Sequence, residues 1–557
     1  MPLTGGQMLV EQLRREGVRH LFGIPGVQLD WAVEALRAAR DSIEFIVPRH
    51  EQTASYMADG YARSTGREGV SMVVPGPGVL NALSGLATAY ATSSRTLFIA
   101  GQIPSATLGR GHGMLHEIPD QSTILKSLTK WHAIARTPAE VPELINTAFA
   151  ELRSGHPRPV ALEIPPDVLQ GTADAPLRDR ARSRPVPPDP VTLREAAELL
   201  RAARFPVIQA GGGAAAADAG TVLQELAERL QAPVVLTEGA RGILPNSHPL
   251  TLTSLGGRAV FPHADLVLAV GTRFLDALPS PVYSNPQCRF IYVNLDPAHA
   301  GPPRQSGVML TSDARLTVEA LVENLKGEPP RRSRAEDVAN VKAWCDIQTR
   351  RIQPQADYVD ALRQALPDDA IVVSELTQVG YFANVAFPVQ RPHSYLTPGY
   401  QGTLGYGFPT SLGVAVGNPQ RRVASINGDG GFGWGLQELA TAARYRLNLA
   451  VVVFVDGRYG NVQRIQRRTF GHEFATEVAN PDFQLLAAAF DVAFRRVESA
   501  AALGDALADA NSAGPLLIEV RVGEMASPWP VILPFVPSPV PPPPNPLGEP
   551  ASPRVAD

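Results

Sequence analysis

A chain of 557 residues is longer than one hydrophobic core supports, and the usual range of roughly 100 to 200 residues per domain points to three domains. Fifty Lys and Arg against 54 Asp and Glu leave a formal net charge of -4, with 44% hydrophobic and 19% charged residues, a balance unsuited to gripping nucleic acid. The two cysteines, Cys288 and Cys345, have neither CxxC spacing nor neighbouring His ligands, which argues against a disulfide framework and a zinc site.

The opening segment, MPLTGGQMLVEQLRREGV, has the spacing of an amphipathic helix and does not read as a signal peptide, because no charged stretch leads into an apolar core. Up to about residue 180, helical patterns alternate with short apolar runs (IEFIVPR, GVSMVVP, RTLFIAG, RPVALEIP) separated by Gly and Pro turns. Such alternation predicts βα units on a parallel sheet. Proline-stiffened linkers at 183–190 and 327–333 bracket a middle unit, 190–326, whose strand-like runs FPVIQAGGG, APVVLTEG, ADLVLAVGT and FIYVNLD repeat the pattern. A third α/β unit spans 355–525. The tail, 526–557, is so rich in proline that neither helix nor interior strand is expected there, only extended or disordered chain. The longest apolar run, Leu449 to Val455, falls far short of the roughly 20 residues that cross a bilayer. The expectation is therefore an α/β protein of three doubly wound parallel-sheet domains, cytoplasmic, with no nucleic-acid or membrane partner.

Chemistry concentrates in the third unit. In Ala424-Ser-Ile-Asn-Gly-Asp-Gly-Gly431 an apolar strand ends in a tight glycine turn bearing one carboxylate, an arrangement that points backbone N–H groups at an anion and lets Asp429 hold a divalent cation. Twenty-seven residues later, after the strand VVVFV, comes Asp456-Gly-Arg-Tyr-Gly460. Both carboxylates then sit at the same edge of a parallel sheet. Hard oxygen ligands suit Mg2+, which shares its shell with phosphate oxygens, so the natural ligand is a diphosphate.

A GDG turn followed at this interval by a second oxygen ligand resembles the binding motif of thiamine diphosphate (ThDP) enzymes. The resemblance implies Asp429, Asp456 and the carbonyl of Arg458 as Mg2+ ligands, with Gly428, Gly430, Gly431, Tyr459 and Gly460 near the diphosphate. Many relatives carry Asn in place of Asp456. Upstream, Thr397-Pro-Gly-Tyr-Gln-Gly-Thr-Leu-Gly-Tyr-Gly-Phe-Pro409 is similar to the glycine-rich segment beneath the cofactor. Gly402 and Thr403 belong to it, and Leu404 falls where an apolar wedge holds the cofactor bent, a proximity effect. Gln378 aligns with a position that contacts the diphosphate.

The stretch Val47-Pro-Arg-His-Glu-Gln-Thr-Ala-Ser-Tyr-Met-Ala-Asp-Gly-Tyr-Ala-Arg63 resembles the pyrimidine-side motif and implies Glu51 as the catalytic glutamate, whose carboxyl favours the cofactor tautomer that deprotonates the thiazolium. The turns Phe22-Gly-Ile-Pro-Gly26, with Pro25 and Gly26, and Pro75-Gly-Pro-Gly-Val-Leu-Asn81 would line the pyrimidine pocket.

Within this family the likeness is to the acetolactate synthase group, with departures at the substrate side. Leu115-His-Glu117 stands where those enzymes carry Phe-Gln-Glu, making His116, and less strongly His112, candidates for proton transfer or carboxylate binding. Gln28 and Val27 occupy substrate-facing positions, and Ile465 replaces a tryptophan that shapes the acceptor pocket. The turn Gly211-Gly-Gly213 is a weak dinucleotide signature. Phe274-Leu-Asp-Ala277 differs from the Phe-Asp-Asp-Arg of FAD-binding relatives, so FAD stays open. The resemblance implies an N-terminal pyrimidine-binding domain, a central domain and a C-terminal diphosphate-binding domain, in a homodimer or homotetramer that shares its active sites between subunits. The implied activity is carboligation: decarboxylation of a pyruvate-like 2-oxo acid and transfer to a second carbonyl. The alternatives are simple decarboxylation or C–C lysis of a diketone or acyloin, and a non-catalytic ThDP-binding homologue.

Overall fold

The computed structural model describes residues 2–273, 287–300, 306–509 and 514–549; the Phe274 to Ala277 stretch lies outside them. Three six-stranded sheets, each parallel throughout, carry helices on both faces. Strands covered on both sides become nearly continuous apolar runs. Val160–Ile164, Leu266–Val270 and Leu449–Val455 show this, with every residue buried except Val455.

The first sheet runs Glu44–Ile46, His20–Gly23, Gly69–Val73, Thr96–Gly101, Val160–Ile164, Trp131–Ile134 across its width. The third runs Tyr395–Leu396, Ile371–Ser374, Val423–Gly428, Leu449–Val455, Leu516–Arg521, Ala493–Val497. Both place the strands in the same order of succession. In each, the first strand in sequence sits between the second and third, so the connections leave in opposite directions from the crevice between first and third. Open α/β sheets bind ligands at that kind of crevice. The middle sheet instead has its six strands in the order of a dinucleotide-type fold, with Pro206–Ala210 between Val234–Leu236 and Leu266–Val270.

First and third units are fused through their helices. Helix Glu51–Thr65 crosses helix Gly407–Gly417 so closely that a side chain at Gly60 would collide with the Thr410 carbonyl, and one at Gly413 with the Met57 carbonyl. Arg63 Nη1 ties the crossing by donating to the Thr397 carbonyl and to Tyr406 Oη, each at 2.8 Å. One buried cluster runs through the junction, from Phe22, Tyr56 and Met57 to Leu412, Val423 and Leu449.

The tail departs from expectation at one point. Trp529–Ile532 forms a single helical turn, tolerated because Pro530 lies in the first turn, where a missing N–H costs nothing. From there to residue 549 the chain lies extended against the middle domain and helix Ala335–Thr349: Asn545 Nδ2 donates to the Ala259 carbonyl at 3.0 Å and Trp344 Nε1 to the Pro543 carbonyl at 2.8 Å. No helix among the described residues is long and apolar enough to cross a membrane.

Candidate active site

At the crevice of the third sheet, the loops after Ile371–Ser374 and Val423–Gly428 part around a cavity of about 180 Å3. Gly428, Asp429, Gly430 and Gly431 form one wall, Gly402, Thr403 and Leu404 another, and Asp456, Arg458, Tyr459 and Gly460 a third. Gln378, at the start of helix Gln378–Ala386, closes a corner.

Asp429 follows its strand directly, and register pairs Gly428 with Phe454 on the neighbouring strand, which brings the Asp456 loop alongside. Asp429 Oδ2 accepts from Gly457 N–H at 2.8 Å and from Asn480 Nδ2 at 2.7 Å, and its Oδ1 from Gly430 N–H at 2.9 Å. Burial pushes the Asp429 carboxyl above its ordinary range. Burial and then the neighbouring Asp429 charge push Asp456 up to about 6. Two carboxyls that disfavour each other's ionisation at a glycine turn suit a divalent cation, which would relieve both the desolvation and the repulsion. The donor set therefore fits Mg2+ with a diphosphate.

The glycines have separate reasons. At Gly430 a Cβ would lie 2.7 Å from the Tyr459 ring. Gly402 and Gly405 take the left-handed backbone, φ +59° and +80°, and so lift Leu404 between them into the cavity, 37% exposed. Thr403 Oγ1 meets Thr88 Oγ1 of the first unit at 2.9 Å. Gln378 Oε1 accepts from Arg464 Nη1 at 2.6 Å, leaving its amide nitrogen available.

The first unit assembles a second group of the sequence-selected residues. Glu51 begins its helix, half-buried, and its Oε2 accepts from Asn81 Nδ2 at 3.1 Å. Gly26 leaves no room for a side chain against Val74, while Pro25 is exposed. Gln28, buried, donates from Nε2 to the Leu115 carbonyl at 3.3 Å, and its Oε1 has no partner. His116 takes a left-handed backbone, φ +69°, over Gly76, and its buried Nδ1 also lacks a partner. His112 points outward, exposed. None of these residues lines the cavity of the third unit. Around both groups large apolar side chains face outward: Val27, Leu80 and Leu115 on the first unit, Trp434, Val462 and Ile465 on the third.

Three site residues escaped the sequence reading. Asn480 orients Asp429, Arg464 holds Gln378, and Glu375 sits buried behind the cavity with its carboxyl against Gly431. Only Glu375 carried a usable signal, its place immediately after a buried strand at a sheet's carboxyl edge. In the middle domain, the Gly211-Gly-Gly213 turn packs its backbone onto Gly271, where a Cβ on Gly213 would lie 2.8 Å from the Gly271 Cα. Packing accounts for that glycine, so the turn adds nothing in favour of FAD.

Three family descriptions match the chain in order: thiamine pyrophosphate enzyme N-terminal TPP binding domain over residues 3–124, central domain over 193–321, and C-terminal TPP binding domain over 375–520. The chain belongs to the thiamine pyrophosphate enzyme family. It is 38% identical, over 93% of its length and 94% of the relative's, to a Pseudomonas aeruginosa protein named as a probable 2-ketoarginine decarboxylase. It is 32% identical to an acetolactate synthase of Arthrospira platensis, over 96% of each chain. With the large subunit of Escherichia coli acetolactate synthase isozyme 1 it shares 30% over 95% of this chain and 96% of the other.

Proposed function

We propose that this protein is a ThDP- and Mg2+-dependent decarboxylase of a 2-oxo acid with a polar side chain, releasing CO2 and the aldehyde one carbon shorter. The observation that carries this reading is the 38% identity, along nearly the whole chain, to a relative named for 2-ketoarginine decarboxylation, against 30% and 32% to the acetolactate synthases compared above. The unpartnered Gln28 Oε1 and His116 Nδ1 support it, since a polar substrate would satisfy both.

In this reading Asp429, Asp456 and the Arg458 carbonyl hold Mg2+, and the Gly428 to Gly431 turn, Gln378, Tyr459 and Gly460 hold the diphosphate. Once bound, the cofactor supplies the electron sink for the breaking C–C bond. Leu404, projecting into the cavity, would pack against the bound cofactor and help orient it. Glu51, oriented by Asn81, holds a proton at the pyrimidine edge. Gln28 and His116 bind the substrate, and His116 returns a proton to the product carbon.

Glu51 and Asp429 belong to different groups of residues, and apolar side chains face outward around both. Two protomers facing each other would bury those surfaces and complete two sites, each from the first unit of one protomer and the third unit of its partner.

Carboligation is the second reading, favoured by full-length similarity to acetolactate synthases; it differs in whether a second carbonyl or a proton ends the reaction. Product analysis by NMR with ThDP, Mg2+ and either 5-guanidino-2-oxopentanoate or pyruvate separates the two. Release of 4-guanidinobutanal without an added acceptor supports decarboxylation. Formation of acetolactate from pyruvate, with the guanidino acid unconsumed, overturns it.

A further inference from the structure

Glu375 follows strand Ile371–Ser374 at the crevice of the third sheet, borders the cavity, and is 2% exposed. Its Oε1 accepts from Gly405 N–H at 2.5 Å. The carboxyl fills the space that a side chain at Gly431 would need, so that a Cβ there would collide with both carboxyl oxygens. One side chain thus touches two separate walls, the segment that presents Leu404 and the turn that presents Asp429. Its second oxygen, Oε2, has no hydrogen-bond partner. A polar atom buried without a partner is costly, and beside a cavity it marks the place of a missing ligand atom.

We infer that Glu375 is a positioning residue for the cofactor: it fixes the Leu404 segment against the diphosphate turn, and its Oε2 is reserved for a polar atom of bound ThDP. The inference rests on membership of the thiamine pyrophosphate family and not on the choice between decarboxylation and carboligation. Burial pushes the carboxyl up to about 8, so it carries its proton at neutral pH. Because Oε1 already accepts from Gly405, that proton lies on Oε2, which becomes a donor. An amide of the same shape reproduces both functions, an acceptor for Gly405 and a donor toward the ligand. A thioether of similar length reproduces neither.

The test is titration of the cofactor-free, full-length chain with ThDP in excess Mg2+, read by quenching of intrinsic tryptophan fluorescence, with thermal unfolding of each cofactor-free variant in parallel. Trp434 packs against Gly405 and supplies a local reporter. Glu375→Gln is expected to bind ThDP within about threefold of the parent. Glu375→Met is expected to bind about tenfold or more weakly, the loss of roughly one buried hydrogen bond, while unfolding at a temperature no lower than the parent's. Parent-like ThDP affinity in Glu375→Met overturns the inference, as does an equal loss in Glu375→Gln. A lowered unfolding temperature with unchanged affinity assigns Glu375 a purely structural role and also overturns it. Should the Met variant fail to accumulate, Glu375→Asp, which withdraws the carboxyl from Gly405 by one methylene, is expected to lose affinity likewise; parent-like binding there counts against the inference. A parent chain that shows no ThDP quenching defeats the cofactor assignment itself, a result distinct from these.

Discussion

The first and third sheets place their strands in the same order and open at the same crevice, yet they furnish it differently. In the third, the strand ends carry Glu375, Asp429 and, on the next strand, Asp456, with glycines between. In the first, the matching loops are Ile24-Pro-Gly26 and Val74-Pro-Gly-Pro-Gly78, stiff and almost uncharged, and the polar groups Glu51 and Asn81 come from helix starts nearby. Topology decides where a ligand lies, and the few residues after each strand decide which part of the ligand is held. In the proposed reading the third unit would hold an ion and its phosphates and the first a flat heterocycle.

That contrast predicts mutations of different character. Asp429→Ala removes the carboxylate that three donors orient, and Mg2+-dependent ThDP binding should fall about 100-fold or more in a titration. Glu51→Gln should leave ThDP affinity within about threefold and lower kcat by about 10²- to 10⁴-fold, the usual worth of a positioned acid or base. Equal loss of binding in both variants would erase the distinction between the two crevices. Leu404→Ala should lower kcat by about 100-fold through a small misplacement of the cofactor, with ThDP affinity changed only a few-fold.

Smaller effects are expected at the substrate side and in stability. Gln28→Leu should raise KM for the guanidino acid about tenfold, roughly one hydrogen bond, and change KM for pyruvate much less, while His116→Ala should raise that KM similarly and also lower kcat. The smallest effect concerns pH. Glu375 ionises near 8 in the folded chain against an ordinary 4.5, so between those values the folded state binds the extra proton and stability of the cofactor-free chain falls as pH rises. Glu375→Gln removes that dependence, and its Tm should exceed the parent's by about 5 °C near pH 8.5 and hardly at all below pH 5.

Much of this could be read from residue order because the informative patterns are local. Buried parallel strands announce themselves as apolar runs, and the Gly428 to Gly431 turn or the segment opening with Glu51 occupies consecutive positions. Edge strands were harder: Trp131–Ile134 is only half-buried, and Ala493–Val497 carries the adjacent pair Arg495 and Arg496 and is mostly exposed, so neither stands out as an apolar run. Glu375 was marked in the sequence only by its place after a buried strand, and its role was not legible there. Its meaning comes from Gly405, 30 residues away, and from Gly431, contacts that exist only once the crevice has closed around it. Asn480 likewise reaches Asp429 across 51 residues. The tail misled in the opposite direction, since its composition argued against a helical turn that Pro530 in fact starts well.

The most direct test of the two-crevice account is complementation between subunits. Glu51→Gln and Asp429→Ala chains, each inactive alone, are co-expressed with different tags and the mixed dimer population is assayed. Sites shared between protomers predict that each mixed dimer carries one intact site, restoring about a quarter of the parent's activity in a statistical mixture. Sites formed within a single chain leave every site damaged, and a mixture no more active than its components would contradict the account.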